Sequence, residues 1–262
     1  MHAEGFLFSL SGYIIAFIFF ILTLVCYRFG FWLRNRTIKS SKASEDQDLG
    51  SLNGAMMGLL ALLMAFTFGM ANSRYDTRRQ LVVEEANAIG TAILRTEVYP
   101  DSIRDVLRGM LKEYVEARIG FYQAGMNTAL VNDFFEKGNA LSSSIWTTAA
   151  TYARTDDVTT RTSQLLPALN AMIDIVTTRK AAGEANLPPS ILYFLFALCF
   201  CVAFMMGYDK KNKLDWIVAT GFSLMLSITI YIILDLDRPR RGLINLDKPN
   251  EKMVELRALF KE

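Results

Sequence analysis

Histidine is nearly absent: His2 is the one histidine in 262 residues. No imidazole is therefore at hand for acid–base work inside a fold, and no histidine cluster can hold a metal. Cysteine is scarce as well, and Cys26, Cys199 and Cys201 all fall inside apolar stretches, which leaves the polar part of the chain without a disulfide or a zinc-thiolate site. Cys199 and Cys201, two apart in a helical run, point in different directions and read as packing groups. No glycine-rich phosphate loop and no nucleophile elbow occurs. A net charge of +2 provides neither a basic domain nor a nucleic-acid motif. Internal repeats and low-complexity runs are missing too. An enzyme, a cofactor, a metal site and a nucleic-acid partner are accordingly not expected.

Charge is also missing locally. Residues 6–27, 52–71, 189–208 and 214–234 contain no Lys, Arg or His, and Asp215, at a margin, is their one acidic group. At 1.5 Å per helical residue, runs of this length cross about 30 Å of hydrocarbon, and none shows the polar stripe of a soluble core helix. The first run reads as a retained anchor, because its basic cluster follows it and no cleavage pattern is evident. The expected fold is an all-α membrane protein with four transmembrane helices and a helical-bundle domain inserted between the second and third. Residues 1–71 would be a first transmembrane hairpin, 72–187 an extramembrane helical domain, 188–236 a second hairpin and 237–262 a C-terminal tail. Lipid is then an obligatory partner.

The polar connector 28–50 carries Arg28, Arg34, Arg36, Lys39 and Lys42 before turning acidic at Glu45, Asp46 and Asp48, and the connector 209–213 carries Lys210, Lys211 and Lys213. Four crossings put both connectors on one side, which the positive-inside rule makes cytoplasmic. The basic C-terminal segment votes the other way. On balance the inserted domain is expected on the extracytoplasmic side of a bacterial inner membrane.

Within that domain Ile103, Leu107, Met110, Tyr114, Ala117 and Phe121 alternate four and three residues apart, a seam suited to helix packing, with Pro100 and Asp101 at its start. Leu165, Leu169, Met172 and Val176 form a related seam after the possible caps Asp156 and Asp157, and Pro167 would kink that helix or delay its start. A helix over 134–154 would bury Leu141, Ile145, Ala149 and Tyr152. No breaker separates the second span from residues 73–98, so one helix is expected to run through both.

The second span has the most informative pattern. Gly50, Gly54 and Gly58 recur every four residues, and Gly54, Gly58, Ala61, Ala65 and Gly69 form a stripe of small side chains that serves either close helix packing or pore lining. Polar groups then crowd two chain segments. The second span leads into Arg74, Asp76, Arg78 and Arg79, followed by Glu84, Glu85 and Asn87. The fourth ends in Asp235, Asp237, Arg238 and Arg241. An even number of crossings between these segments brings them to one leaflet, as a junction. Gln80, Glu84, Asn87, Thr91 and Arg95 share a helix face, either the wall of an aqueous vestibule or a solvated, salt-bridged surface, while Val82, Ala86, Ile89 and Ile93 share an apolar one.

Residues 58–73, Tyr75-Asp76, Arg78-Arg79 and the run Val82-Val83-Glu84-Glu85-Ala86-Asn87-Ala88-Ile89-Gly90-Thr91-Ala92, with Asp235-Leu236-Asp237-Arg238-Pro239 and Gly242-Leu243-Ile244, resemble the bacterial bestrophin-like domain family. The resemblance implies kinship with bestrophins, pentameric anion channels whose second spans line the pore and whose membrane helices flank a helical cytosolic domain. It implies a narrow apolar neck of large side chains on that second helix. Leu60, Met64 and Phe68, one turn apart, are the candidates here, although the glycine stripe departs from a bulky neck. The function the resemblance implies is a homo-oligomeric channel, pentameric like the bestrophins, passing small inorganic anions along the second span. The alternative is a non-conducting scaffold or sensor whose helical domain binds a partner protein. An energy-coupling role like that of flagellar stators would need an acidic group deep in a span, and none is present.

Overall fold

The computed structural model describes residues 11–40, 50–155, 159–210, 213–238, 240 and 242–261, with 37–40 as backbone only. Asp156 and Asp157, Lys42, Glu45, Asp46, Asp48, Lys211, Pro239, Arg241 and the start of the first apolar run lie outside the described residues. Among the described residues the chain is helical, without strands: α1 Gly12–Ser40, α2 Gly50–Arg95, α3 Asp101–Gln123, α4 Thr128–Ala153, α5 Thr159–Glu184, α6 Pro189–Tyr208, α7 Trp216–Asp237 and α8 Asp247–Glu255, with short 3-10 turns at Thr96–Val98 and Leu256–Phe260. Four helices are long and apolar enough to cross a membrane. The chain divides into two compact units, one of Met1–Ser73 with Asn186–Arg238, the other of Arg74–Ala185 with Pro239–Glu262.

In the first unit α1 packs on α6 and α7. Phe19 meets the rings of Phe196 and Phe200 at 5.2 and 5.1 Å, and Phe29 meets Phe204 at 5.9 Å. Contacts advance along both helices together, so α1 and α6 run parallel. Gly12, at the start of α1, faces Tyr231 near the end of α7, so those two are antiparallel. The first and third candidate spans are thus parallel, with α2, the second candidate, between them in sequence.

Two glycines set the closeness of α1 and α6. A Cβ on Gly30 would collide with the Phe204 carbonyl, and one on Gly207 with the Tyr27 carbonyl. Removing side chains at facing positions lets backbones touch where hydrocarbon gives no drive for association. The few hydroxyls inside the spans are satisfied one turn back: Thr23 donates to Phe19 O at 2.8 Å, Thr67 to Leu63 O at 2.8 Å and Ser227 to Ser223 O at 2.7 Å. Oxygen left without such a bond in lipid costs several kcal/mol, roughly. Outside this packed seam Tyr13, Phe17, Phe66, Ile217 and Met225 are exposed, as a lipid-facing surface requires.

Helix α1 runs well past its apolar stretch, so the first half of the expected polar connector is helical. Arg34 there is buried and donates to the Tyr208 carbonyl at 2.9 Å, placing a cation at the negative end of α6.

In the second unit the apolar stripe of α2 (Val82, Ala86, Ile89, Ile93) is buried, as are Leu107, Leu111 and Tyr114 of α3, Ile145 and Ala149 of α4, and Leu165, Leu169 and Met172 of α5. Helix α4 starts at Asn127, whose side chain accepts from Leu130 N at 3.2 Å, after a turn that needs the positive φ of Gly125. Pro167 lies inside α5 without ending it. The segment read as a C-terminal tail contributes to this core: Met253 and Leu256 are buried, and Arg257 forks onto Glu116 at 2.7 and 2.6 Å.

Substituting Gly30 or Gly207 with Val should lower stability in detergent by about 1–3 kcal/mol or more through backbone overpacking. Gly109, which has open space where a Cβ would go, should tolerate Ala with a gain of about 0.5–1 kcal/mol. Thermal unfolding of the purified variants checks both.

Candidate functional site

Small side chains on α2 stand open. Gly54, Gly58, Ala61, Ala65 and Gly69 are all exposed, and a Cβ at any of the three glycines would meet nothing within 4 Å. The neck candidates separate: Leu60 and Met64 are buried within the chain, whereas Phe68 is 41% exposed. Leu60, Met64 and Phe68 thus share a spacing but not an open face.

Of the junction residues, Arg74 to Arg95 belong to the second unit and Asp235 to Arg238 to the first. Asp237 is fully buried and accepts from the backbone N–H of Leu187 at 2.9 and 3.1 Å. Its carboxylate thereby fixes the approach to α6. Asp235 and Arg238 are buried beside it. Arg241 lies outside the described residues.

Along α2 the polar face of Gln80, Glu84, Asn87 and Thr91 is exposed, with Gln80 donating to Glu84 at 2.9 Å, and Asp76 and Arg79 lie on the same stretch of the helix. Arg95 reaches the Gln164 carbonyl at 2.5 Å. Arg78 is buried and donates to the carbonyls of Ala182 and Ala185 at 3.1 and 2.8 Å, at the C-terminal end of α5.

Glu85 differs from Asp76 and Glu84, the exposed acidic groups on the same stretch of α2. Fourteen residues beyond the apolar stretch of α2, it is fully buried and accepts from Arg118 Nε at 2.5 Å, Arg179 Nη1 at 2.6 Å and the Tyr122 hydroxyl at 2.7 Å. Arg118 and Tyr122 sit one turn apart on α3, and Arg179 comes from α5. Arg118 also donates to the Tyr122 oxygen at 3.0 Å, and the Arg179 guanidinium stacks 4.3 Å over the Tyr122 ring. One carboxylate therefore holds three helices together. Burial alone would raise the Glu85 pKa, but the charges of Arg118 and Arg179 and the bonds from Arg118 and Tyr122 outweigh it, and the net direction is down. Burial, then the Glu85 charge, push the Tyr122 hydroxyl up and keep it a donor.

Sequence reasoning placed Glu85 on the junction without its partners. Arg118 carried a signal, being a cation one turn from Tyr114 on the apolar side of α3. Arg179 carried one too, as the next position of the Leu165, Leu169, Met172 and Val176 seam, whereas Tyr122 carried none. Among the described residues no group of three or more His, Cys, Asp or Glu is placed to hold a metal.

A family model described as Bestrophin-like domain matches residues 18–248. The fold is shared with the crystal structure of a bacterial bestrophin homologue from Klebsiella pneumoniae, at 11% identity over 92% of this chain and 98% of that one, with a TM-score of 0.69. A second crystal structure, described as that of a membrane protein, matches at 10% identity over 94% and 99% of the two chains with a TM-score of 0.70. Among curated proteins no match is found.

Replacing Glu85 by Gln strands the buried Arg118 guanidinium and the partly buried one of Arg179 and should cost about 3–5 kcal/mol, part of which Arg118→Met in the same chain should restore. Because the Glu85 pKa is depressed by folding, its stabilisation is complete above the ordinary carboxylate value of about 4.3. It is lost as pH falls through the lower, folded value. Helical signal against temperature, recorded at a series of pH values, should show that acid loss in the parent and a flatter profile in Glu85→Gln.

Proposed function

We propose, from the premise that this chain belongs to the bestrophin-like domain family, that it assembles into a homo-oligomeric membrane channel for small anions. Its path is lined by residues 52–71 of α2. The observation that carries this reading is the open small-residue face: Gly54, Gly58, Ala61, Ala65 and Gly69 are exposed, although the first unit closes on itself through Gly30 and Gly207. A smooth face left unpacked by its own chain suits copies of α2 arranged around a shared axis.

Phe68 is the neck residue this arrangement retains. At 100° per residue it falls about 20° from Ala61, while the buried Leu60 and Met64 belong to packing. Burial of Arg78 and Arg238 likewise leaves Arg74 and Arg79 as the cations that concentrate anions at the rim. The helical region 72–187 lies outside the bilayer in this reading, on the extracytoplasmic side of a bacterial inner membrane by the connector charges.

Purified oligomer in planar bilayers should pass currents whose reversal potential follows a chloride or bicarbonate gradient. Gly58→Leu should reduce the current without dissociating the oligomer, and Phe68→Ala should raise single-channel conductance. Silent bilayers containing verified oligomer, together with a co-purifying protein, would instead support a scaffold or sensor.

A further inference from the structure

The second unit contains a cavity of about 560 Å³ next to the Glu85 cluster, and nothing in the proposed conduction path uses it. Its wall brings together Arg78 from α2, Arg118 from α3, Arg179 and Lys180 from α5, and Arg240 from the segment before α8. Two carboxylates line it, Glu184 and Asp247, both exposed. Asp247 is engaged with the Asn245 amide at 2.6 Å.

The positive charge is incompletely matched. Glu85 is a single carboxylate behind two guanidiniums, Arg118 and Arg179. Arg240 has no acidic partner among the described residues. It donates to the carbonyls of Phe121 and Gly125 at 3.2 and 3.1 Å, with its guanidinium 4.4 Å over the Phe121 ring. The Lys180 ammonium lies 4.9 Å over the Phe135 ring, likewise without a carboxylate among the described residues. Burial lowers the Arg240 pKa, and the charges of Arg179 and Arg118 push the same way. Cations gathered on one concave wall are costly unless an anion joins them. Arginine forks match the oxygens of phosphate, and the ring contacts hold two of the heads in place beforehand.

The remaining lining describes the rest of the ligand. Leu81, Val131 and Val176 add apolar surface, and the volume lies within the range of about 300–1,000 Å³ usual for small-molecule sites. Asn250 also lines the cavity, and its side-chain oxygen is buried without a hydrogen-bond partner among the described residues. An acceptor there needs a donor, which a bare oxyanion lacks and a sugar hydroxyl or an amine supplies. We infer that this cavity binds a small organic phosphate monoester carrying hydroxyl or amino groups, its dianionic head held by Arg179, Lys180 and Arg240 and its donor end directed to Asn250.

Calorimetric titration of the purified full-length chain in a zwitterionic detergent tests this with four probes: ribose 5-phosphate, adenosine monophosphate, uncharged adenosine, and dihexanoyl phosphatidylglycerol. Lys180 is exposed, and among the described residues its ammonium is placed over the Phe135 ring without an ion pair, so Lys180→Gln keeps the fold. Arg240→Gln is the second variant, with its melting temperature recorded alongside. The expected result is saturable binding of at least one monoester, weakened roughly tenfold or more by Lys180→Gln, as loss of a charge-assisted contact requires. Binding should also fall with added salt, and adenosine should not bind. The inference is overturned if neither monoester binds, if binding is unchanged in Lys180→Gln, or if adenosine binds as well as its phosphate. Preferential binding of the phosphatidylglycerol diester also overturns it and assigns the cavity to a lipid headgroup. A folded Arg240→Gln should weaken binding as well, and if that variant does not fold, Lys180→Gln decides alone. The readout involves no current, so it is independent of conduction.

Discussion

A carboxylate buried between two guanidiniums governs the second half of this molecule. Glu85 removes from water a charge that is tolerable only because Arg118, Arg179 and the Tyr122 hydroxyl all converge on it. The consequence is geometric as much as energetic. Glu85 is rigidly part of α2, Arg118 and Tyr122 belong to α3, and Arg179 to α5, so their convergence sets how α3 and α5 lie against the later turns of α2. Apolar seams supply the bulk of the burial, but such seams tolerate sliding. A three-way charged contact does not, because a shift that opens one bond exposes a buried ion.

The membrane-type helices obey a different rule. Hydrocarbon offers neither water for stray polar groups nor a drive for apolar faces to meet, so α1 and α6 associate through glycines, and hydroxyls bond back to their own helix. Helix α2 uses both rules along one continuous helix of 46 residues. Its first part carries a small-residue face that its own chain leaves open, and its later part carries the ion that organises the helical unit. A self-assembling path lined by the former is the reading that family membership and this open face support together.

Much of this was legible in the chain. Four runs without cations gave the candidate spans, with α6 bounded as expected at Pro189 and Tyr208. The 3–4 spacing of Leu107, Tyr114, Leu165 and Met172 gave the buried seams. What stayed hidden depends on partners distant in sequence. Arg118 and Arg179 lie 33 and 94 residues from Glu85; helical spacing sets Glu85 beside the apolar face of Val82 and Ile89, away from Glu84, but names no partner for it. Lone glycines such as Gly30 and Gly207 show no periodicity, so the repeating Gly54 and Gly58 drew attention, although within the chain it is the lone pair that packs. The final segment looked like a charged tail because a nine-residue helix needs only Met253, with Leu256 just after it, to join a core. Equal spacing also concealed that Leu60 and Met64 turn into the chain while Phe68 does not.

The most direct measurement is an experimental structure of the assembled oligomer in lipid, with the radius measured along its symmetry axis. Gly54, Gly58, Ala61, Ala65 and Gly69 should face that axis around a continuous lumen, narrowed at Phe68. An axis on which these residues meet in direct helix-to-helix contact, with no space between them, would contradict this arrangement.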